Sequence, residues 1–219
     1  MHWRIEKLKN KYCNIFYNQA NTIIELLWRL RERKYPKSKD GKTLFHIGCG
    51  DINSPEFINI DARKKDHIHI VTSNIFRLWM IPSNTADLVY MCHILEHVPR
   101  DSISMVLKEM HRILKPSGKL RVSVPNFDYI LAIYKDNDHK IEYISPALMG
   151  GQEYPENFHY EVYNKKYLER LFVNNSFQHV SEWNPIEVEF HDFDDWASKK
   201  LTINNKDYLI NLNLEATKA

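Results

Sequence analysis

From position 44 onward, short apolar runs recur, each closed by turn residues. Leu44-Phe45-His46-Ile47 ends at Gly48-Cys49-Gly50, and Phe57-Ile58-Asn59-Ile60 ends at Asp61. His67-Ile68-His69-Ile70-Val71 is a third run, Ala86-Asp87-Leu88-Val89-Tyr90-Met91-Cys92 a fourth, and the strictly alternating Lys119-Leu120-Arg121-Val122-Ser123-Val124 a fifth. Runs of this length bounded by turn residues predict strands. Residues 179–183 and 208–216 read as two more, able to pair antiparallel at one edge of a sheet.

Between the fourth and fifth runs the period lengthens to that of a helix. Ile103, Val106, Leu107, Met110, Ile113 and Leu114 share one face, while Lys108, Glu109, His111 and Arg112 share the other. Asp101 or Ser102 suits the N-cap, and Lys115-Pro116-Ser117-Gly118 ends the helix and turns into the fifth strand. Strand, helix and strand in that order make a βαβ unit, so the strands are parallel and the class is α/β. Further helices are predicted over 127–134 and 165–173. Residues 136–163 lack periodicity and hold Pro146, Gly150, Gly151 and Pro155, the pattern of a lid or binding loop. Ahead of the sheet, Ile5, Leu8, Tyr12, Ile15, Phe16, Ile23, Leu27 and Leu30 recur at helical spacing, which predicts an amphipathic extension over residues 1–40 and a domain over 41–219.

Charge changes the reading of that extension. The net charge is +2, but residues 1–43 carry +7 and the remainder −5. The helix can pack on the domain or in a homodimer, close over a ligand site, or lie peripherally on an anionic membrane surface. Nucleic acid is not an expected partner: the basic charge is local and none of the common motifs occurs. With 43% hydrophobic and 26% charged residues the composition is that of a folded globular chain. No apolar run nears the roughly 18 residues of a membrane span. The opening residues Met1 to Glu6 contain no apolar signal region. Cys13, Cys49 and Cys92 form neither a disulfide framework nor a CxxC pair. A reducing, cytoplasmic setting is the simplest expectation.

Only six glycines occur in 219 residues, and Gly48 and Gly50 fall where the first strand ends. Ligands of open α/β sheets bind at the carboxyl ends of strands, where bare backbone allows close approach. Asp61, at the end of the second strand, suits the hydroxyls of a ribose. The third glycine of a dinucleotide fingerprint is replaced by Asn53, and no Walker P-loop is present. His93-Ile94-Leu95-Glu96-His97 spells H-x-x-E-H, but Pro99 interrupts the helix that zinc ligation through that motif requires, so no metal is assigned. His67 and His69 share one face of the third strand and read as a surface or edge pair.

Together these pieces resemble the class I methyltransferases that use S-adenosylmethionine. The run from Leu44 to Gly50 is similar to their first motif, Asp61 to their ribose-binding acid, residues 87–98 to their fourth strand with its "LEH" segment, and residues 112–120 to the following helix-to-strand turn. The order and spacing agree from about residue 43 to 126. The segment from Gly150 through His159 and Tyr160 to the C-terminal Leu212–Lys218 is similar to predicted bacterial and phage methyltransferases linked to cell-surface polysaccharide genes. The resemblance implies a Rossmann-like, doubly wound, mostly parallel seven-stranded sheet with an antiparallel edge strand. It implies S-adenosylmethionine as cofactor, held by His46, Gly48, Cys49, Gly50, Asp61, Asn74, Ile75 and His93. The acceptor is expected to be a hydroxyl or amine of a small molecule or saccharide beneath the 136–163 loop, with His97 and His159 as base or orienting residues. The aromatics Tyr154, Phe158, Tyr160, Tyr163, Trp183, Phe190, Phe193 and Trp196 read as core or as a platform for the acceptor. Two departures stand out. Only Asp51–Glu56 separate the first two strands, too few for the usual crossover helix. Asn74 stands where family members often carry an adenine-reading aspartate. A rival reading is a catalytically silent donor-binding module that works through a protein partner.

Overall fold

A computed structural model of the protein describes residues 22–32, 34–153 and 156–219. Of the features above, Ile5, Leu8, Tyr12, Ile15, Phe16, Cys13, Tyr154 and Pro155 lie outside the described residues. Helix α1 covers 22–32. The strands are β1 (Leu44–Ile47), β2 (Phe57–Asp61), β3 (Ile70–Val71), β4 (Ala86–Cys92), β5 (Leu114–Pro125), β6 (Phe177–Glu182), β7 (Lys200–Ile203), β8 (Lys206–Leu209) and β9 (Asn211–Lys218). The helices are α2 (Ile103–Ile113), α3 (Phe127–Asp136), the short α4 (Ser145–Met149) and α5 (Lys165–Asn174).

Seven strands form one sheet in the order β3-β2-β1-β4-β5-β9-β6. The first five are parallel, and β9 runs antiparallel to both β5 and β6. This is the Rossmann-like methyltransferase architecture expected from the sequence. The antiparallel strand lies second from the edge, with β6 outermost. The expected strand over 208–216 divides: Lys206–Leu209 pairs with β7 in a separate hairpin, and the sheet strand starts at Asn211. The third strand shrinks to two residues. His69 falls outside it because its Nδ1 accepts the Asn59 amide at 2.9 Å in place of a ladder carbonyl. Between β1 and β2 the chain makes only turns, so the missing crossover helix is real.

One face of the sheet is packed by the apolar stripes of α2 and α5, with Ile103, Val106, Leu107, Met110, Ile113, Leu168 and Phe172 all buried. Neither Asp101 nor Ser102 caps α2 through its side chain. Glu109, expected on the solvent face, is buried, accepting the Leu78 amide at 2.6 Å and two Arg112 nitrogens at 2.7 and 2.8 Å. It ties the helix to the loop before β4. After α2, Ser117 takes the left-handed turn conformation (φ 63°), not Gly118.

The other face carries a cluster with no α-helical residue: Leu44, Phe57, Leu88, Tyr90, Cys92, Trp183 and Ala197, with Val188, Phe190 and Phe193 against it. The irregular segment 183–198 supplies the cover. Arg121, which the alternation of β5 places on this face, is 1% exposed and is held by Glu215 and the Glu189 carbonyl.

The described part of α1 docks through one residue. Trp28 is 5% exposed and packs on Tyr35 and Phe45. Of the predicted apolar stripe, the described members Ile23, Leu27 and Leu30 are exposed at 58%, 42% and 65%.

Candidate functional site

The strand order reverses between β1 and β4, the place where open α/β sheets form a crevice at their carboxyl ends. Gly48 and Gly50 lie there with φ of 66° and 60°. At Gly48 an added Cβ would sit 2.0 Å from Ile94 Cδ1. The left-handed conformation therefore favours glycine at both positions, and the Ile94 side chain fills the space beside Gly48.

Its backbone donors are already used. The amides of Gly48 and Cys49 donate to the Ile60 carbonyl at 2.7 and 3.2 Å, and the Gly50 amide donates to Asp61 Oδ2 at 2.9 Å. Asp61 Oδ1 accepts the Arg63 amide at 2.9 Å and its Nε at 3.2 Å. Burial opposes the Asp61 charge, but these bonds outweigh it and hold the carboxyl below its usual range. A carboxylate offers about four lone-pair directions. Three are occupied, so one remains for a ribose hydroxyl unless the half-exposed Arg63 side chain moves aside. His67, predicted as a surface residue, turns inward with Nε2 at 3.1 Å from the Gly50 carbonyl. The Cys49 thiol is pushed up to about 12 by burial and by Asp61, so Cys49 contributes backbone and bulk rather than a thiolate.

Two expected donor contacts are corrected. His46 is 1% exposed on the far face of the sheet, stacked on Phe193 at 5.6 Å and flanked by Tyr90 and Phe57. Burial lowers its pKa to about 4, so it is a neutral core ring with no face toward the crevice. The amide oxygen of Asn74, expected to read adenine, instead accepts the Phe76 and Arg77 amides at 3.1 and 3.2 Å. Asn74 shapes the turn after β3. Ile75 beside it is half-buried against the core.

Beyond β4 the chain turns through His93, whose φ is 52°. Its Nε2 lies 2.8 Å from Asn211 Oδ1 and its Nδ1 lies 3.1 Å from Glu96 Oε1. The Asn211 amide nitrogen donates to the Trp196 and Lys199 carbonyls, which fixes Oδ1 toward the ring. Both His93 nitrogens therefore face acceptors. Burial works against its charge, but Glu96 and Asn211 outweigh burial and raise its pKa. Glu96 is 1% exposed; burial opposes its charge too, and His93, His97 and His159 together hold its pKa down.

His97 and His159, far apart in sequence, meet with ring centroids 4.8 Å apart. The segment carrying His159 is bound to the turn carrying His97. The Tyr160 amide donates to the Glu96 carbonyl at 2.8 Å, Tyr163 donates to the Leu95 carbonyl at 3.1 Å, and Arg100 grips Glu161 at 2.5 and 3.0 Å. Gly150 allows the same segment to fold back, since a Cβ there would lie 2.2 Å from the Asn157 carbonyl oxygen. It is a packed crossing rather than a hinge. The 136–163 stretch is also more ordered than a loop, because α4 and a turn of 3-10 helix over Ile141–Tyr143 lie within it. The aromatics divide. Tyr163 and Trp183 are buried, Phe190 and Phe193 pack on the second core, and Phe158, Tyr160 and Trp196 are exposed, Trp196 against His93. Glu96 and Asn211 went unnoticed in the sequence as site residues. Only the literal H-x-x-E-H pointed at the first, and nothing local points at the second.

The comparisons agree with this architecture. Residues 45–122 match the family model described as a methyltransferase domain. An uncharacterized protein of Methanocaldococcus jannaschii is 32% identical over 151 residues, a match covering 64% of this chain and 64% of that protein. Among solved structures, a methyltransferase from Archaeoglobus fulgidus aligns with a TM-score of 0.51 at 16% identity, over 94% of this chain and 100% of that one. One from Thermotoga maritima aligns with a TM-score of 0.51 at 17% identity, over 98% and 97%. The solved structures share this chain's fold, and residues 45–122 match a methyltransferase domain. The cofactor that such a domain implies is S-adenosylmethionine. The crevice fits it on one observation: a buried carboxylate at the next strand end, held by the glycine turn, with one acceptor direction left. Among the described residues no helix is long and apolar enough to cross a membrane.

Proposed function

We propose that this chain transfers a methyl group from S-adenosylmethionine to a hydroxyl or amine of a small molecule or saccharide. One observation carries the reading. A glycine turn, a carboxylate and an imidazole cluster converge at the ends of β1, β2 and β4, and the segment around 158–163 is bonded across that cluster. In this reading 41–219 is the catalytic domain, 1–40 an extension, and 136–163 the cover of the acceptor.

When bound, S-adenosylmethionine supplies a methyl group already activated on a sulfonium. Gly48, Cys49 and Gly50 give bare backbone to its amino acid portion, Asp61 accepts from the ribose, and Ile75 offers an apolar contact to the base. His93, at the end of β4, lines the donor side. His97 and His159 each direct Nδ1 at a backbone carbonyl, Phe158 and Ala147, both at 3.1 Å. Each Nδ1 therefore carries the proton, and Nε2 is left to take one from an acceptor hydroxyl. Burial, with His97 adding to it and Glu96 opposing, lowers the His159 pKa, which keeps the ring neutral and able to accept at pH 7. Much of the acceleration then comes from holding the partners in line. The exposed rings of Phe158, Tyr160 and Trp196 suit the apolar face of a sugar. That supports an acceptor of polysaccharide type. The unpaired thiols of Cys49 and Cys92 are in keeping with a cytoplasmic protein.

Calorimetry with S-adenosylmethionine and S-adenosylhomocysteine tests the donor site, and a labelled-methyl screen over nucleotide sugars tests the acceptor. No donor binding, or binding unchanged in Asp61→Ala, would end this reading. The silent-module reading draws on the exposed Ile23, Leu27 and Leu30 of α1, a surface for a protein partner. Donor binding without transfer to any acceptor would favour it.

A further inference from the structure

The imidazole cluster has a feature that proton transfer does not use. Glu96 is 1% exposed, yet neither carboxylate oxygen has a well-formed hydrogen bond among the described residues. The His93 contact at 3.1 Å is an ion pair without good alignment. An unsatisfied buried carboxylate is costly. Facing it are His97 and His159, and one ligand atom from each of the three lies within 4.8 Å of the others. Three atoms so spaced all fall within about 2.8 Å of a common point, so bonds of about 2.1 Å need an inward shift of under an ångström each.

We infer that Glu96, His97 and His159 form a site for a divalent transition-metal ion, of the zinc or iron(II) class, at the acceptor end of the crevice. Two histidines and one carboxylate are a ligand set of catalytic zinc and of non-haem iron(II), each leaving coordination positions open. The supporting contacts have the form such sites need. His97 Nδ1 lies on the Phe158 carbonyl and His159 Nδ1 on the Ala147 carbonyl, which fixes each tautomer with the lone pair on Nε2. His93, braced by Asn211, supports the carboxylate from behind. The motif His93-x-x-Glu96-His97 therefore works differently from its linear form. His93 is a supporting residue, and the third ligand comes from His159, 62 positions further on. An open position on the ion would take an oxygen or nitrogen of the acceptor and lower its pKa. Activation of the acceptor then passes from proton uptake at Nε2 to coordination. The site goes beyond the methyl-transfer reading and does not depend on it.

The test uses the untagged, metal-stripped full chain and no donor. Zinc ion alone is titrated calorimetrically, and cobalt(II) alone is followed by its visible absorption. The expected result is one ion per chain and a cobalt band of nitrogen and oxygen ligation without thiolate charge transfer. His159→Ala and Glu96→Gln should each weaken binding by at least the roughly tenfold to hundredfold that loss of a mere supporting partner costs. His179→Ala, at an exposed position in β6, should leave it unchanged. Circular dichroism checks each fold, and His159→Ala, on a half-buried surface segment, serves if Glu96→Gln fails to fold. Absence of stoichiometric binding, or equal binding by wild type and His159→Ala, overturns the proposal. A failed donor titration leaves it standing, so the two readings fail separately.

Discussion

Replacing His46 by Phe gives a prediction whose size follows from the structure. The ring is 1% exposed between Phe193, Tyr90 and Phe57, and its Nδ1 has no partner among the described residues. Burial lowers its pKa from 6.5 to about 4. The unfolded chain takes up this proton as pH falls below about 6.5, while the folded chain resists until about 4. Between those values the unfolded state binds more protons, so stability is lost as pH falls through the window. At 1.36 kcal/mol per pKa unit, the His46 contribution between pH 7 and pH 5 comes to about 2 kcal/mol. Phe keeps a ring in the cluster and removes the titration. Its static packing cost is the same at every pH and cancels in the comparison. Urea unfolding of both proteins at pH 7, 6, 5 and 4.5 measures the difference. The gap should move by about 2 kcal/mol in favour of the variant on going from pH 7 to pH 5. Parallel curves would refute the buried-neutral assignment. Donor affinity in the same variant should stay within about twofold, or ~0.4 kcal/mol. A large loss would return His46 to the donor site.

Other outcomes follow from the same contacts. Asp61→Asn keeps one acceptor oxygen but sets an amide against either the Gly50 or the Arg63 donor; losing a charge-assisted bond costs about 1.5–3 kcal/mol, so the S-adenosylhomocysteine Kd by calorimetry should rise roughly tenfold or more. Trp28→Ala removes the anchor of α1 and should lower unfolding free energy by about 3 kcal/mol while leaving the donor Kd unchanged, as read by urea melts and titration. Arg100→Ala leaves the buried Glu161 carboxylate with Tyr167 and the Val162 amide as its remaining partners; limited proteolysis should then cut the 150–162 segment faster than in wild type. With Cys92 buried and the Cys49 thiol pushed up to about 12, neither should react with a thiol reagent before unfolding, and mapping of the labelled cysteines checks this.

Much of the fold was readable because its signals are local. Each parallel strand is a short apolar run with a turn residue at its end, and α2 carries an unbroken stripe at helical spacing. The glycine turn and Asp61 were readable for a related reason. Positive φ and strand-end position are properties of a few adjacent residues. Misplaced residues share the opposite property. Glu109 looks like a solvent-face acid until the Leu78 amide reaches it from 31 positions away. Leu27 and Leu30 look like a packing face but are exposed, and Trp28 is the buried residue of α1 among the described residues. Asn74 is the exception: its oxygen is consumed locally, by amides two and three positions on.

By itself, then, the sequence determined the α/β class and the parallel strands. These depend on periodicity and on turn chemistry within a few residues. Tertiary structure alone decided that the second face of the sheet is covered by an irregular segment, which buries Arg121 and turns His46 into a core ring. It also decided that Glu96 meets a histidine from 63 positions later in the chain. Side-chain burial and ligand geometry are set by whichever distant segment crosses overhead, and no local pattern encodes that crossing.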